Sequence, residues 1–164
     1  MLIGVFSDVH DNLKNLEKVL AFYSHNKVKT LIFCGDFCSP IPARMIGAFK
    51  NTVHCVFGNG DGDKFSITKL AYTEFPNLIV HGEYAEIEIE GAKIAITHYP
   101  LYGKALAGTG NYNAVFSGHT HELHQEYIGE CLWLNPGEVL AWKGKGTFAT
   151  YNTETNTAEI HKID

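Results

Sequence analysis

Arginine is nearly missing from this chain: Arg44 is the only one in 164 residues. Thirteen Lys plus Arg face eighteen Asp plus Glu, for a formal net charge of −5. A protein that neutralises many phosphates carries a basic stripe, and no such stripe is visible. Extended nucleic-acid binding is therefore disfavoured, although a single phosphate group held by cations would need none. Also missing is any run approaching the ~18 apolar residues of a membrane span. The first apolar segment, Met1 to Phe6, has neither a charged n-region nor a small-residue cleavage site after it, so it reads as a strand rather than a leader. Cysteine is sparse, at positions 34, 38, 55 and 131. A chain this long and apolar needs no disulfide staples, and Cys34 and Cys38 lack the second pair of a zinc clip. Reduced thiols and a cytoplasmic location are expected. What remains is 45% hydrophobic and 19% charged, which suits one globular domain with a sizeable core.

The first half alternates short apolar runs with helical patterns. Leu2 to Phe6, Leu31 to Cys34 and Val53 to Phe57 read as buried strands, each running into a polar loop. Leu13, Leu16, Val19, Leu20 and Tyr23 recur at helical spacing behind a cap at Asp11 or Asn12. Pro40 and Pro42 open a second helix reaching about Phe49. This order implies right-handed crossovers and a largely parallel sheet. The second half is richer in strands: 78–81, 84–90, 92–97, 114–117, 123–128, 131–134, 147–151 and 158–163, with a short helical segment near 103–106. Glu86, Glu88 and Glu90 alternate with Ile87 and Ile89, as on a strand with one wet face, and Glu90-Gly91 reads as a hairpin turn. The expectation is an α/β domain of two packed sheets with helices outside.

Potential metal ligands follow these strands at their carboxyl ends: Asp8-Val9-His10, Gly35-Asp36, Gly58-Asn59, Thr97-His98 and Gly118-His119-Thr120-His121. Functional groups gather at that position in open α/β folds. The series mixes carboxylate, carboxamide and imidazole, the donors of a two-metal hydrolytic site. Singly the pieces are weak. Asp-x-His also suits an N-terminal turn, Gly-Asp is ordinary turn chemistry, and one histidine can be a buried, hydrogen-bonded imidazole. The Gly-His-Thr-His segment says more, because a glycine at a strand end lets two nearby imidazoles point into one space.

In this order, the five motifs resemble the signature of the calcineurin-like metallophosphoesterase superfamily. The small chain and the Asn135-Pro136-Gly137 loop look like its small prokaryotic phosphodiesterase subfamily, to which a eukaryotic retromer subunit is structurally related. The resemblance implies one domain over 1–164 without a cap, folded as a four-layer αββα sandwich of two mixed sheets flanked by helices. It implies two divalent metals, Mn²⁺ foremost and Fe, Ni, Co or Zn as alternatives. Asp8, His10 and His121 would hold one, and Asn59, His98 and His119 the other. Asp36 would bridge them, with Asp36, Asn59 and His98 at the chemistry. A metal-bridging hydroxide would then attack phosphorus in a small phosphoester, most naturally a diester. Self-association is common among such relatives.

The pattern departs from the family at two places. Many members carry His after the motif Asn, where it can protonate a leaving group; here that position is Gly60. Thr97-His98-Tyr99-Pro100 replaces a frequent Thr-His-Gly, so Tyr99 either walls a pocket or packs. Asp61 either orients His98 or an active-site water, or it is a turn residue. His124 reads as a surface histidine, and His25, His54, His81 and His161 as structural. Asn135-Pro136-Gly137 is expected as a tight turn near the site. A phosphomonoesterase, or a non-catalytic scaffold on the same fold, are the alternatives; a scaffold has no reason of its own to retain seven competent donors.

Overall fold

The computed structural model describes all 164 residues. Its elements, in chain order, are β1 (Leu2–Phe6), α1 (Leu13–His25), β2 (Thr30–Phe33), α2 (Pro40–Gly47), β3 (Thr52–Cys55), α3 (Lys64–Thr73), β4 (Leu78–Val80), β5 (Tyr84–Ile89), β6 (Ala92–Thr97), α4 (Pro100–Ala107), β7 (Ala114–Phe116), β8 (Leu123–Ile128), β9 (Cys131–Pro136), β10 (Thr147–Asn152) and β11 (Thr157–Lys162). One sheet runs β11-β10-β1-β2-β3-β4 and the other β5-β6-β7-β9-β8. Both are mixed. β1 to β4 are parallel, with β10 antiparallel on β1. β6, β7 and β9 are parallel, with β5 and β8 antiparallel at the two edges.

Three apolar layers separate four structural ones, giving the αββα sandwich. Alternation along a strand sends neighbouring residues to opposite faces. Phe6, Leu31, Phe33, Val53 and Cys55 thus pack under α1–α3 with Leu16, Val19, Tyr23, Ile46 and Ile67. Ile3, Val5, Ile32 and Cys34 face the other way, onto Ile94, Ile96, Phe116 and Leu134 of the second sheet. Ala95, Val115 and Trp133 take the far side of that sheet, with Ala107 of α4. Asn12 caps α1, accepting the Asn15 N–H, and Ser39 caps α2. No helix is long and apolar enough to cross a membrane.

Most predicted elements appear within a residue or two. The exception is α3, which the sequence reading omitted. Its periodicity is broken by Phe65 and Tyr72, both on the outer face at 79% and 85% exposure. Apolar residues on the wet side blur the amphipathic signal that identifies a helix. The segment near 103–106 is a full helix begun by Pro100, and β9 extends through Asn135 and Pro136.

Candidate metal centre

Parallel strands from both sheets end on one side of the sandwich, and the loops after them are stitched together by backbone hydrogen bonds. Asp8 N–H donates to Gly35 O at 3.0 Å, and the Val9 and His10 N–H groups both donate to Asp36 O at 3.1 Å. The loop after β9 closes the gap between sheets, with Val139 N–H on Ser7 O (3.1 Å) and Leu140 N–H on Asp8 O (2.9 Å). The loops after β6 and β7 meet where Gly118 N–H donates to His98 O at 3.0 Å. These ladders bring all seven expected donors into one place.

Their side chains form two groups that share Asp36. In the first, Asp8 Oδ1 lies 3.3 Å from His121 Nε2 and 3.7 Å from His10 Nε2, and the two imidazole nitrogens are 3.2 Å apart. In the second, Asn59 Oδ1 lies 2.7 Å from His119 Nδ1 and 3.2 Å from His98 Nε2. Asp36 Oδ2 sits 3.3 Å from His10 Nε2 and 3.4 Å from His98 Nε2, touching both groups. One atom each from Asp8, His10, Asp36 and His121 fits within 4.8 Å.

The atoms facing inward are electron-pair donors whose other ends are already anchored. Asp36 Oδ1 accepts the Gly60 N–H at 2.7 Å, leaving Oδ2 for the site. Asp8 Oδ2 accepts the His119 N–H at 3.0 Å, and its buried Oδ1 has no hydrogen-bond partner. His98 donates Nδ1–H to Cys34 O at 2.7 Å, and His121 donates Nδ1–H to Glu138 Oε2 at 2.7 Å. Both therefore present Nε2 as a lone pair when neutral. His10 Nδ1 meets Cys38 Sγ at 3.1 Å. An unpartnered buried carboxylate oxygen amid convergent imidazole lone pairs is costly without a positive charge between them. The residues fit a cation site.

Proton binding carries the same signature. Contact with Asp8, aided by Asp36, raises the His10 pKa although burial opposes it. Burial also opposes charge on His98, yet Asp36 holds its pKa above the ordinary value. Asp36 is desolvated, but His98 and the Gly60 N–H keep it below the usual carboxylate range. Protons compete for the positions a cation would take.

The backbone is bent to achieve this. Asp8, His10, Asp36, His119 and His121 all adopt positive φ, between 43° and 74°. Non-glycine residues there cost on the order of 1–3 kcal/mol each, and such strain clusters at functional sites. Gly35, at φ 100°, is the neighbour that only glycine satisfies: a Cβ would fall 2.8 Å from Gly58 N and His98 Nδ1.

These contacts place the residues whose roles the sequence left open. Asp61 meets the backbone of its own loop and of the loop after β2. Its carboxylate, 5% exposed, accepts the N–H groups of Gly58 (2.7 Å), Cys38 (3.0 Å) and Asp36 (3.2 Å), and so sets the loop beneath the site. Asn135 lies near the end of β9, and its Oδ1 accepts the Gly137 N–H at 3.0 Å as the chain turns, with Gly137 at φ 81°. Its amide donates to Gly118 O at 2.7 Å and Thr120 Oγ1 at 3.1 Å, tying down the two-histidine loop. Tyr99 meets the His98 ring edge-to-face and the His119 ring at a tilt, at 5.3 and 5.5 Å between centroids. His124 is a half-exposed strand residue beside Glu126, whereas His54 and His81 meet each other at 2.9 Å.

Glu138 escaped the sequence reading. It is 3% exposed and lies in a loop rich in turn residues, so the only signal was a carboxylate soon after a strand-end Asn-Pro-Gly. Carboxylates that accept from a metal-bound imidazole are worth about 10–100-fold in metal affinity. Glu138→Gln is expected to weaken divalent-cation binding by roughly that factor, measured by competition with a fluorescent chelator; unchanged affinity would show that Glu138 only fills space.

Comparison with known proteins identifies the family. Residues 1–156 match the calcineurin-like phosphoesterase superfamily domain. Phosphodiesterase MJ0936 of Methanocaldococcus jannaschii is 31% identical over 158 residues, covering 94% of each chain. Phosphodiesterase YfcE of Escherichia coli K12 is 27% identical, covering 92% of this chain and 85% of its own. A solved archaeal phosphodiesterase superposes with a TM-score of 0.92 at 28% identity, covering 99% of this chain and all of that one. Vps29 of Entamoeba histolytica, at 18% identity and TM-score 0.70, shares the fold. The chain belongs to the calcineurin-like phosphoesterase superfamily. It is a metal-dependent phosphoesterase, a hydrolase of the phosphodiesterase-like kind.

Proposed function

We propose that this protein hydrolyses phosphodiesters at a centre for two divalent cations. The observation that carries the reading is the division of seven donors into two groups joined by Asp36 Oδ2. Asp8, His10 and His121 would hold one cation, Asn59, His98 and His119 the other, and Asp36 both. Such a pair supplies a water acidic enough to act as nucleophile near neutral pH and positive charge for the phosphoryl oxygens. Four imidazoles beside carboxylate and carboxamide oxygens, without thiolate, suit Mn²⁺, Fe, Ni, Co or Zn, and the family resemblance puts Mn²⁺ first. Four free cysteines suit a reducing cytoplasmic setting.

The chain's own residues decide the rest. Asp36 is held by Gly60 N–H so that one oxygen always faces inward. Gly60 donates that backbone proton and has no side-chain proton to give. The departing alkoxide or aryloxide therefore leaves without help from this position. Asn59 and His119 are exposed while Asp8 and His98 are buried, so the substrate enters from the Asn59 side. Relatives named phosphodiesterases point to the diester over the monoester.

Hydrolysis of bis(p-nitrophenyl) phosphate and p-nitrophenyl phosphate, coupled to metal analysis, tests this. The purified protein should retain divalent metal, lose activity on chelation, regain it with Mn²⁺, and prefer the diester. A wild type that neither retains nor responds to metal would overturn the reading. Across a series of aryl diesters, rates should fall steeply as leaving-group pKa rises; a flat dependence would reveal a proton donor elsewhere.

A further inference from the structure

Beside the exposed half of the metal centre lies a cavity of about 410 Å³ whose walls include Tyr84, Thr97, Tyr99, Tyr102 and Leu106. That volume lies within the range of small-molecule sites, which are largely apolar with a few polar groups. Tyr99 is the shared wall. Its ring meets that of His98 edge-to-face at 5.3 Å and that of His119 at a tilt at 5.5 Å, and Tyr102 stands edge-on to it at 5.8 Å. The cavity and the donors thus adjoin across a single side chain. Thr97, buried at the cavity floor, directly precedes His98.

Tyr102 and Tyr84 are 56% and 40% exposed. On α4 the residues that fix the helix to the sheet are Gly103 and Ala107, which are buried. Tyr102 is not needed for that packing, so its apolar surface stands open next to a phosphoester site. Trp142, at 77% exposure, borders the opposite half, 6.2 Å between ring centroids from His121.

We infer that this tyrosine-lined cavity is a specificity pocket for a planar aromatic group, an aryl ring or a nucleobase, carried by the phosphoester whose phosphorus sits at the metal centre. The occupant follows from the setting. An ester arm leaving the Asn59–His98–His119 side has only Tyr99 to cross before it enters the cavity. Aromatic edges and faces then favour a ring over an alkyl chain of similar size. The inference rests on the phosphoesterase reading and adds a substrate class to it.

Phosphonates, whose P–C bond resists hydrolysis, separate the two halves of recognition. Inhibition constants would be measured for methylphosphonate, phenylphosphonate and an adenine-bearing acyclic phosphonate on the metal-loaded protein. Saturation-transfer NMR would follow the ligand ring protons in parallel. Either aromatic phosphonate should bind about tenfold tighter than methylphosphonate, and which one does so distinguishes an aryl ester from a nucleotide. The ratio should collapse in Tyr102→Ala and persist in Tyr102→Phe, with ring saturation lost only in the former. A wild-type ratio near one, or a ratio that Tyr102→Ala leaves in place, overturns the pocket while the hydrolytic centre stands. A wild type inert toward every diester and blind to methylphosphonate overturns both.

Discussion

Asp36→Asn is expected to lower phosphodiester hydrolysis by about a thousandfold, the equivalent of roughly 4 kcal/mol of transition-state stabilisation. The substitution is isosteric but not conservative here. Gly60 N–H donates to the outer oxygen of Asp36 at 2.7 Å. A carboxamide will place its own oxygen on that donor, because the opposite orientation sets N–H against N–H. The NH₂ group is then aimed at the position where Oδ2 now meets His10 and His98, at 3.3 and 3.4 Å. A donor with no lone pair replaces the atom proposed to serve both cations. Metal analysis should show the loss as reduced metal content, while circular dichroism should remain that of the wild type. A variant that keeps both its metal and its rate would remove Asp36 from the proposed centre.

Gly58→Ala is expected to be nearly as damaging by another route. A Cβ at that position would lie 2.2 Å from Asp36 Oδ1 and 2.8 Å from two carbons of the His98 ring. Both neighbours are pinned, Asp36 by Gly60 and His98 by Cys34, so neither can yield cheaply. Overpacking of this kind costs roughly 1–3 kcal/mol, and relief requires Asp36 to leave its place. Thermal melts should show the destabilisation, and calorimetric titration with Mn²⁺ should show weakened binding. Normal binding in a merely less stable protein would mean that Asp36 has room the structure denies it.

The architecture was largely legible in the residue pattern, because strand ends and donors coincide. Apolar runs such as Leu31 to Cys34 stop where a charged residue begins, and two-sheet packing follows from their number. What could not be read was anything requiring a partner distant in the chain. Glu138 means nothing until its loop reaches His121, and Asp61 acquires its role only when the Asp36 and Cys38 N–H groups of the loop after β2 join that of its neighbour Gly58. The positive φ angles were invisible for a related reason. Asp and His enter the left-handed region more readily than most residues, but which of them do so is decided by contacts such as the ladder joining the loops after β1 and β2. The helix α3 failed to register because its outward aromatics imitate no regular period.

The pairing of β1 with both β2 and β10 has a consequence for how the protein is made. Ile3 lies opposite Tyr151, so one edge of the first strand waits for a partner almost the whole chain away. Such non-local pairing slows folding, since the loop must close before its contacts reward it. The donors are dispersed in the same manner, from Asp8 to His121, and Asp8 is fixed by the loop after β9. A nascent chain that has emitted only its first three strands therefore holds Asp8, Asp36 and Asn59 without the imidazoles of the second sheet. Cation capture becomes a late event in biogenesis, and it reports that both sheets have docked.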